Sequence, residues 1–450
     1  MEAREQWGTK IGFILAATGS AIGLGNIWKF PFITGMYGGA AFVLAYIVCI
    51  ALIGFPVMII EFAIGRKTQR NPVGAFEKLA PGTPWFLAGG LGVAAGFVIL
   101  SYYSVVAGWT LGYVFMAIAD VFKNFTKPAE AGDYFANFAA NPLFTIGTHL
   151  AFMALCVFVV IKGVKGGIER FSKIMMPVLL SIIIVLMIRG LTLPGAEKGL
   201  SFLFLPDFSK LNGTTVLVAL GHAFFTLSLG MGTMLTYGSY LSRRDNIISS
   251  AVTIVILDTG IALMAGVAIF TAVFAHGLAP DQGSALIFHV LPTVFPKIPG
   301  GYIFGIMFFF LLLIAALTSG ISLLEVVIAY FVDEKGWSRR KATLVFGGII
   351  FAMGVPSALS HGPLADMKFF FGMTFFDFMD YMSFKYMLPL GGFLMTIFVA
   401  YFWGAKEFIA EIQSGCPKFS IRPVAAVVII TISGILILVT LIAGIMGLGG

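Results

Sequence analysis

The chain has 450 residues, of which 59% are hydrophobic and only 11% charged, with a net charge of +7. Soluble domains carry about 25% charged residues, so this composition excludes a soluble globular protein and indicates a polytopic membrane protein. The positive charge does not point to nucleic acid, because the basic residues are scattered over many loops and a membrane topology accounts for them. The opening MEAREQWGTK is charged and runs into an apolar stretch without a small-residue cleavage pattern, so no cleavable leader is expected. A bilayer-crossing helix needs about 20 mostly apolar residues. Eleven such spans follow in order: 8–35, 39–65, 85–119, 142–161, 168–189, 213–241, 246–276, 300–331, 341–358, 375–404 and 423–447. Loops rich in Gly, Pro and charge separate them, for example GRKTQRNPVG, YLSRRDN and DEKGWSRRK. Cys49, Cys156 and Cys416 share no metal or redox spacing, and two of them read as packing inside the membrane.

With the N-terminus placed inside, nineteen of the 28 lysines and arginines fall on inner loops and seven on outer ones, while Lys29 and Lys385 lie within or beside spans. Cytoplasmic loops carry such an excess. The expected protein is therefore multi-pass in the plasma membrane, with a cytoplasmic N-terminus and, after eleven spans, an extracellular C-terminus.

Two spans carry soft points. Span 1 contains GSAIGLGN (Gly19 to Asn26) and span 6 contains TLSLGMGT (Thr226 to Thr233). Glycine costs about 1 kcal/mol against alanine inside a helix. The two spans stand five apart and so run in opposite directions, and paired Gly-interrupted spans in two halves mark the binding site of a transporter built on inverted repeats. Backbone groups freed at mid-membrane must be taken up by something. Freed carbonyls suit a cation such as Na⁺, and helix N-terminal amides suit a carboxylate. The competing reading of a single Gly-rich span is close helix packing. Asp258 is the one acid in the middle of span 7, SSAVTIVILDTGIALMAG, and a buried carboxylate in a membrane is costly unless paired. It reads as a cation ligand or proton carrier, the alternative being a carboxyl held neutral by local hydrogen bonds.

The stretch REQW…GFILAATGSAIGLGNIWKFPF resembles the first span of the neurotransmitter:sodium symporters, the LeuT-type transporters. The resemblance continues through GFPVMIIEFAIGR, SYYSVVAGWTLGY, FFTLSLGMG and AALTSGISLLE and covers essentially the whole chain. It implies an all-α membrane fold of the LeuT type: one transporter domain over 1–450, with five-helix inverted repeats over 8–189 and 213–404, an additional helix at 423–447, and unwound spans 1 and 6. Many relatives have twelve spans, and the last is expected to be missing here. The implied function is sodium-coupled symport of hydrophobic L-amino acids by alternating access. A proton-coupled carrier and a non-transporting amino acid sensor are the alternatives.

The resemblance also implies two sodium sites. The first would use Ala21, Asn26, Thr226 and Asp258, where many relatives carry Asn at the last position, with a further contribution from the substrate carboxylate. The second would use Gly19, Ile22, Ala315, Thr318 and Ser319. All donors are hard oxygens, which fit alkali or alkaline-earth cations. Chloride-dependent relatives carry a serine where Ala262 stands. A fixed Asp258 charge would replace the anion, so chloride independence is expected. His222, one turn before Thr226, could share a hydrogen bond with this cluster or simply pack. Monoamine carriers hold the amine with an aspartate at the position of Gly23. Its absence points to an α-amino acid that brings its own carboxylate. That carboxylate would meet Leu24, Gly25 and Tyr103, and the ammonium would meet Ala21, Phe225, Thr226 and Ser228. Ser319 stands beside this group, and Ile99, Phe225, Met231 and Leu323 would line an apolar pocket for aliphatic or aromatic side chains.

Two charge pairs resemble gates: Lys29 with Asp380 outside, and Arg4 with Asp333 beside Trp7 inside. Gly167 and Pro177 bracket a weak stretch of span 5, whose inner end would unwind to admit water to the second sodium site. The chain has no HExxH motif, no paired intramembrane aspartates and no Ser–His arrangement, so an enzyme is not expected.

Overall fold

The structure, a computed structural model, describes residues 4–281 and 286–447. The ends of the expected 1–450 domain, residues 1–3 and 448–450, lie outside the described residues. Among the described residues every regular element is a helix. Among the described residues, nine helices are long and apolar enough to cross a membrane: Ala40–Thr68, Phe86–Ile118, Pro142–Val160, Val164–Leu191, Ile247–Ala275, Gly301–Lys335, Arg339–Leu359, Phe375–Gly415 and Pro423–Ile445. A tenth crossing is broken, with Lys10–Ala21 and Gly25–Met36 meeting at 48°. The remaining expected span, 213–241, consists of Gly213–Thr226 and Thr233–Gly238, each too short to cross alone.

Local chemistry sets the helix ends. Thr9, Asn71, Asn141, Asn246 and Ser338 accept hydrogen bonds from the first-turn amides that no helical carbonyl can reach. Proline stands in the first turn at Pro72, Pro142 and Pro423, where its missing N–H costs nothing. Gly404, at φ +95°, separates Phe375–Gly404 from a polar helix, Ala405–Gly415. Short helices at Pro72–Leu79, Pro128–Ala140, Ala196–Phe204 and Leu286–Lys297 fill the loops.

Burial sorts the spans into a centre and a periphery. Gly301–Lys335 buries 83% of its apolar window and Phe86–Ile118 buries 67%, whereas Val164–Leu191 and Pro423–Ile445 each bury 28%. Spans 3 and 8 pack along each other, and both face the breaks of spans 1 and 6. Cys49 and Cys156 are buried, and Cys416 is partly exposed.

Candidate functional site

The helix Lys10–Ala21 stops at Ile22, whose amide still donates to the Thr18 carbonyl (2.7 Å). The next amide, that of Gly23, turns to the Asn26 side-chain oxygen at 3.2 Å. A Cβ on Gly23 would stand 2.4 Å from Ser319 Oγ and 3.2 Å from Tyr103 Oη, so glycine is what lets the break close on its neighbours. Span 6 is irregular over Leu227–Gly232, with left-handed backbone at Ser228 (φ +54°), Gly230 (+77°) and Gly232 (+73°). For Ser228 this conformation costs about 1–2 kcal/mol. The Ser228 hydroxyl offsets part of it by donating to the Ser20 carbonyl at 2.8 Å. The two breaks therefore hold each other.

Glu61 of span 2 secures the second break. Its fully buried carboxylate accepts from the amides of Gly230 (2.8 Å) and Leu235 (3.1 Å). One amide of the irregular stretch and one of the first turn after it thus share a carboxylate acceptor, a charge-assisted arrangement worth about 1.5–3 kcal/mol per bond. The sequence shows an acid within GFPVMIIEFAIGR but nothing of its partners, which exist only once span 6 unwinds.

Asp258 meets both breaks. Asn26 Nδ2 donates to Asp258 Oδ1 (2.7 Å) and to its carbonyl (3.1 Å). The hydroxyls of Thr226 and Tyr46 each approach the carboxylate at 3.4 Å. Asp258 is fully buried, and no lysine, arginine or histidine forms an ion pair with it among the described residues. A buried carboxylate with no cationic partner among the described residues, met by the Asn26 amide nitrogen and two hydroxyls, is a candidate cation ligand. His222 does not join this cluster. Among the described residues neither of its ring nitrogens has a hydrogen-bond partner, and the ring packs against Phe30, Phe42 and Tyr46. The packing alternative therefore describes it, because the aromatic rings of spans 1 and 2 fill the space towards Asp258.

Around the breaks lies a small cavity of about 30 Å³, lined by Ala21, Leu24, Gly25, Ile99, Tyr103, Phe225, Thr226, Ser228, Met231, Ser319 and Leu323, with Ser20 and Gly23. Every residue expected to touch substrate thus converges on one space. That space holds roughly two waters, so a hydrophobic amino acid would enter only as its walls move apart. Tyr103 Oη is buried there without a partner in hydrogen-bond geometry among the described residues, with Ser319 and the Leu24 backbone as its polar neighbours. The second expected cation cluster lies beside it. A Cβ on Gly19 would stand 3.2 Å from Thr318 Cβ. Thr318 Oγ1 donates to the carbonyls of Ala315 (3.0 Å) and Ile314 (3.2 Å), and Ser319 Oγ donates to Ser20 O (3.0 Å). Ile22 is buried at the start of the break. In this arrangement each hydroxyl keeps its lone pairs free for a cation.

The sequence matches the description "Sodium:neurotransmitter symporter family" over residues 4–127 and 142–449. The chain belongs to the sodium:neurotransmitter symporter family. It is similar to an uncharacterized sodium-dependent transporter, YhdH, of Bacillus subtilis (strain 168), with 44% identity over 410 residues, 91% of this chain and 90% of the relative. It is also similar, at 26% over 468 residues, to the sodium- and chloride-dependent GABA transporter 2 of Rattus norvegicus, covering 91% of this chain and 75% of that one. Among solved structures, MhsT in complex with L-phenylalanine superposes with a TM-score of 0.90 at 47% identity, covering 98% of this chain and 100% of that chain. The protein is accordingly a sodium-dependent transporter with a LeuT-type, multi-pass helical fold, and not an enzyme.

In this symporter the two expected gates differ. Arg4 is paired with Asp333, donates to Ser239 Oγ (2.6 Å) and stands 4.7 Å from the Tyr240 ring. Trp7 Nε1 donates to the Tyr237 carbonyl (3.0 Å), and its ring packs on Phe13, Tyr237 and Tyr240. Glu325, fully buried, pairs with Arg339 and accepts from Tyr240 (2.6 Å) behind this seal. On the opposite side, Lys29 and Asp380 line the same two cavities but form no ion pair among the described residues. Lys29 Nζ instead lies 3.6 Å above the Phe384 ring and 4.7 Å from that of Phe225. An ammonium over an aromatic face gains comparable attraction without a counter-ion. Beside Tyr103 and Phe225 lies a cavity of about 430 Å³ lined also by Trp28, Trp109, Phe288 and Phe376.

Span 5 is wound in this state. Val164–Glu169 forms a widened, π-type turn that leads into Arg170–Leu191, with Pro177 inside the helix. Gly167 is required there, since a Cβ would fall 2.1 Å from the Val159 carbonyl. Glu169 ties this turn to the start of span 1, accepting from the Gly8 amide (2.6 Å) and the Thr9 hydroxyl (2.9 Å) and pairing with Lys173 (2.5 Å).

Proposed function

We propose that the protein imports hydrophobic L-amino acids, aliphatic and aromatic, together with two sodium ions, by alternating access and without need of chloride. The observation that carries this reading is the buried Asp258 carboxylate lying between Asn26 of the first break and Thr226 of the second, without a cationic partner among the described residues. A fixed negative charge at this point supplies what an anion supplies in chloride-dependent carriers, and Ala262 one turn on offers no hydroxyl. The MhsT structure was solved with L-phenylalanine, and the apolar character of Ile99, Phe225, Met231 and Leu323 suits the same class of side chain. Methionine at position 231 adapts its shape readily, which suits a range of substrates.

In this reading the first ion takes Ala21, Asn26, Thr226 and Asp258, and the second takes Gly19, Ile22, Ala315, Thr318 and Ser319. The substrate carboxylate meets Leu24, Gly25 and the Tyr103 hydroxyl, and the ammonium meets Ala21, Phe225, Thr226 and Ser228. Residues 8–189 and 213–404 form the two inverted repeats, 423–447 adds the last of eleven crossings, the N-terminus is cytoplasmic and the C-terminus extracellular. Parting of Arg4 from Asp333 and approach of Lys29 to Asp380 exchange the open side. Unwinding between Gly167 and Pro177 lets water reach the second ion. The test is uptake of labelled phenylalanine and leucine into proteoliposomes with an inward sodium gradient. Replacing sodium by choline abolishes uptake, and replacing chloride by gluconate leaves it unchanged. Uptake driven by a proton gradient in choline, or full chloride dependence, would overturn the reading.

A further inference from the structure

We propose that the polar helix Ala405–Gly415 is a strap fastened to spans 2, 6 and 7, and that Gly404 is the joint at which the strap turns away from the rest of span 10 when the open side changes. This device rests on the alternating access proposed above. The fastening starts at Arg66, fully buried in the last turn of span 2. Its Nε donates to Glu411 Oε1 at 2.7 Å, and its terminal nitrogens donate to the carbonyls of Asp245 and Glu411. One side chain thus ties span 2, the turn before span 7 and the polar helix together. Ser414 Oγ donates to the Arg243 carbonyl at 3.2 Å, and a Cβ on Gly415 would run into the Asp245 carbonyl. The strap packs against spans 2 and 7 and the final helix, whereas residues 375–397 pack against spans 3 and 9 as well.

Exposure decides which ion pair gives way. The side chains of Arg4 and Asp333 are 13% and 20% exposed, those of Arg66 and Glu411 0% and 4%. A pair at a water boundary is weak and can part in every cycle, but parting a buried pair strands two charges out of water. The Arg66 tie therefore persists while the Arg4 pair opens, and the bend must come elsewhere. Gly404 has φ +95° and ψ 139°, outside the helical region, and a Cβ there would meet nothing within 4 Å. Its glycine serves the backbone and not close packing. The residues leading up to it, Phe398–Gly404, form a widened π-type turn, a place where helices change direction. Trp403 and Phe408 meet across the joint, with ring centroids 6.1 Å apart.

The experiment follows amide hydrogen exchange of the full chain in nanodiscs, first with sodium and leucine, then with potassium in their place. Exchange over residues 398–404 should rise about fivefold on the change, while residues 406–415 stay within about twofold. A second arm ties pairs of cysteines with a short bifunctional thiosulfonate in a Cys416→Ser background and measures sodium-driven leucine uptake after reconstitution. Tying Arg243→Cys to Ser414→Cys joins the strap to the turn it rests on and should keep uptake within about twofold of the untied variant. Tying Trp403→Cys to Phe408→Cys fixes the joint and should lower uptake at least about tenfold, with recovery on reduction. An even rise over 398–415, a rise confined to 406–415, or no change in either stretch would overturn the proposal. So would loss of uptake with the first tie, or its survival with the second. The exchange arm uses the unaltered chain and decides the matter if a cysteine variant fails to fold. Untied protein without sodium-driven uptake would count against the transport reading alone.

Discussion

Replacing Asp258 by asparagine separates two effects that a purely structural role would not separate. The carboxylate is fully buried and, among the described residues, has no basic partner and one short hydrogen bond, the 2.7 Å contact from Asn26. Without sodium, the buried charge is a liability, and the neutral amide relieves it while still accepting from Asn26. With sodium, the charge is an asset: two unit charges 4 Å apart interact by about 4 kcal/mol at an effective dielectric of about 20. An amide oxygen retains roughly half of this as a dipolar ligand, so about 2 kcal/mol is lost, or about thirtyfold in half-saturating sodium. The assay is labelled-leucine binding titrated with sodium in gluconate buffer, beside thermal midpoints with and without sodium. Sodium affinity should fall, the sodium-free midpoint should hold or rise, and the sodium-induced shift should shrink. A lowered sodium-free midpoint with sodium affinity within about threefold of wild type would refute the reasoning.

Glu61→Gln should leave one buried amide of the Gly230–Leu235 segment facing a donor, lowering stability by about 1–3 kcal/mol and reducing binding capacity in a sodium-saturated filter assay. Gly65→Ala should lower the thermal midpoint more sharply, because its Cβ would lie 2.1 Å from the Leu235 carbonyl and 2.7 Å from the Ser239 amide, and neither is a flexible side chain. Arg4→Met should raise hydrogen exchange over residues 4–21 about fivefold, from loss of a partly exposed ion pair worth about 1 kcal/mol; unchanged exchange would show that Trp7 alone holds the seal.

What could be read from the sequence follows from what each feature needs. The breaks of spans 1 and 6 stood out because Gly19, Gly23, Gly25 and Asn26, or Gly230 and Gly232, interrupt otherwise apolar runs, and clustered glycines weaken a helix just where the bilayer demands a continuous one. Asp258 stood out because an acid in a span is rare. The partners of Glu61 could not be seen, since they are backbone amides that three-dimensional unwinding creates. Nor could the resting place of Lys29: the family resemblance implies Asp380 as its partner, while the Phe384 ring lies within 3.6 Å. The π-type turns at Gly25–Lys29 and Val164–Glu169 leave no periodic signature, because one extra residue per turn shifts the apolar pattern no more than a loop edge does. The size of the central space, about 30 Å³, depends on how far the walls close and is set by packing rather than by residue type.

The contacts between span 2 and the second half of span 6 have a mechanical consequence. Gly65 meets the Leu235 carbonyl, Gly238 lies against the Phe62 backbone, and Glu61 grips both ends of the Gly230–Leu235 stretch. Nothing at this seam can slide without a collision, so the two pieces must travel as one lever whose pivot is the irregular Leu227–Gly232 stretch. Spectroscopic rulers placed across the seam would read a constant length throughout the cycle, while rulers spanning the pivot would record the full stroke.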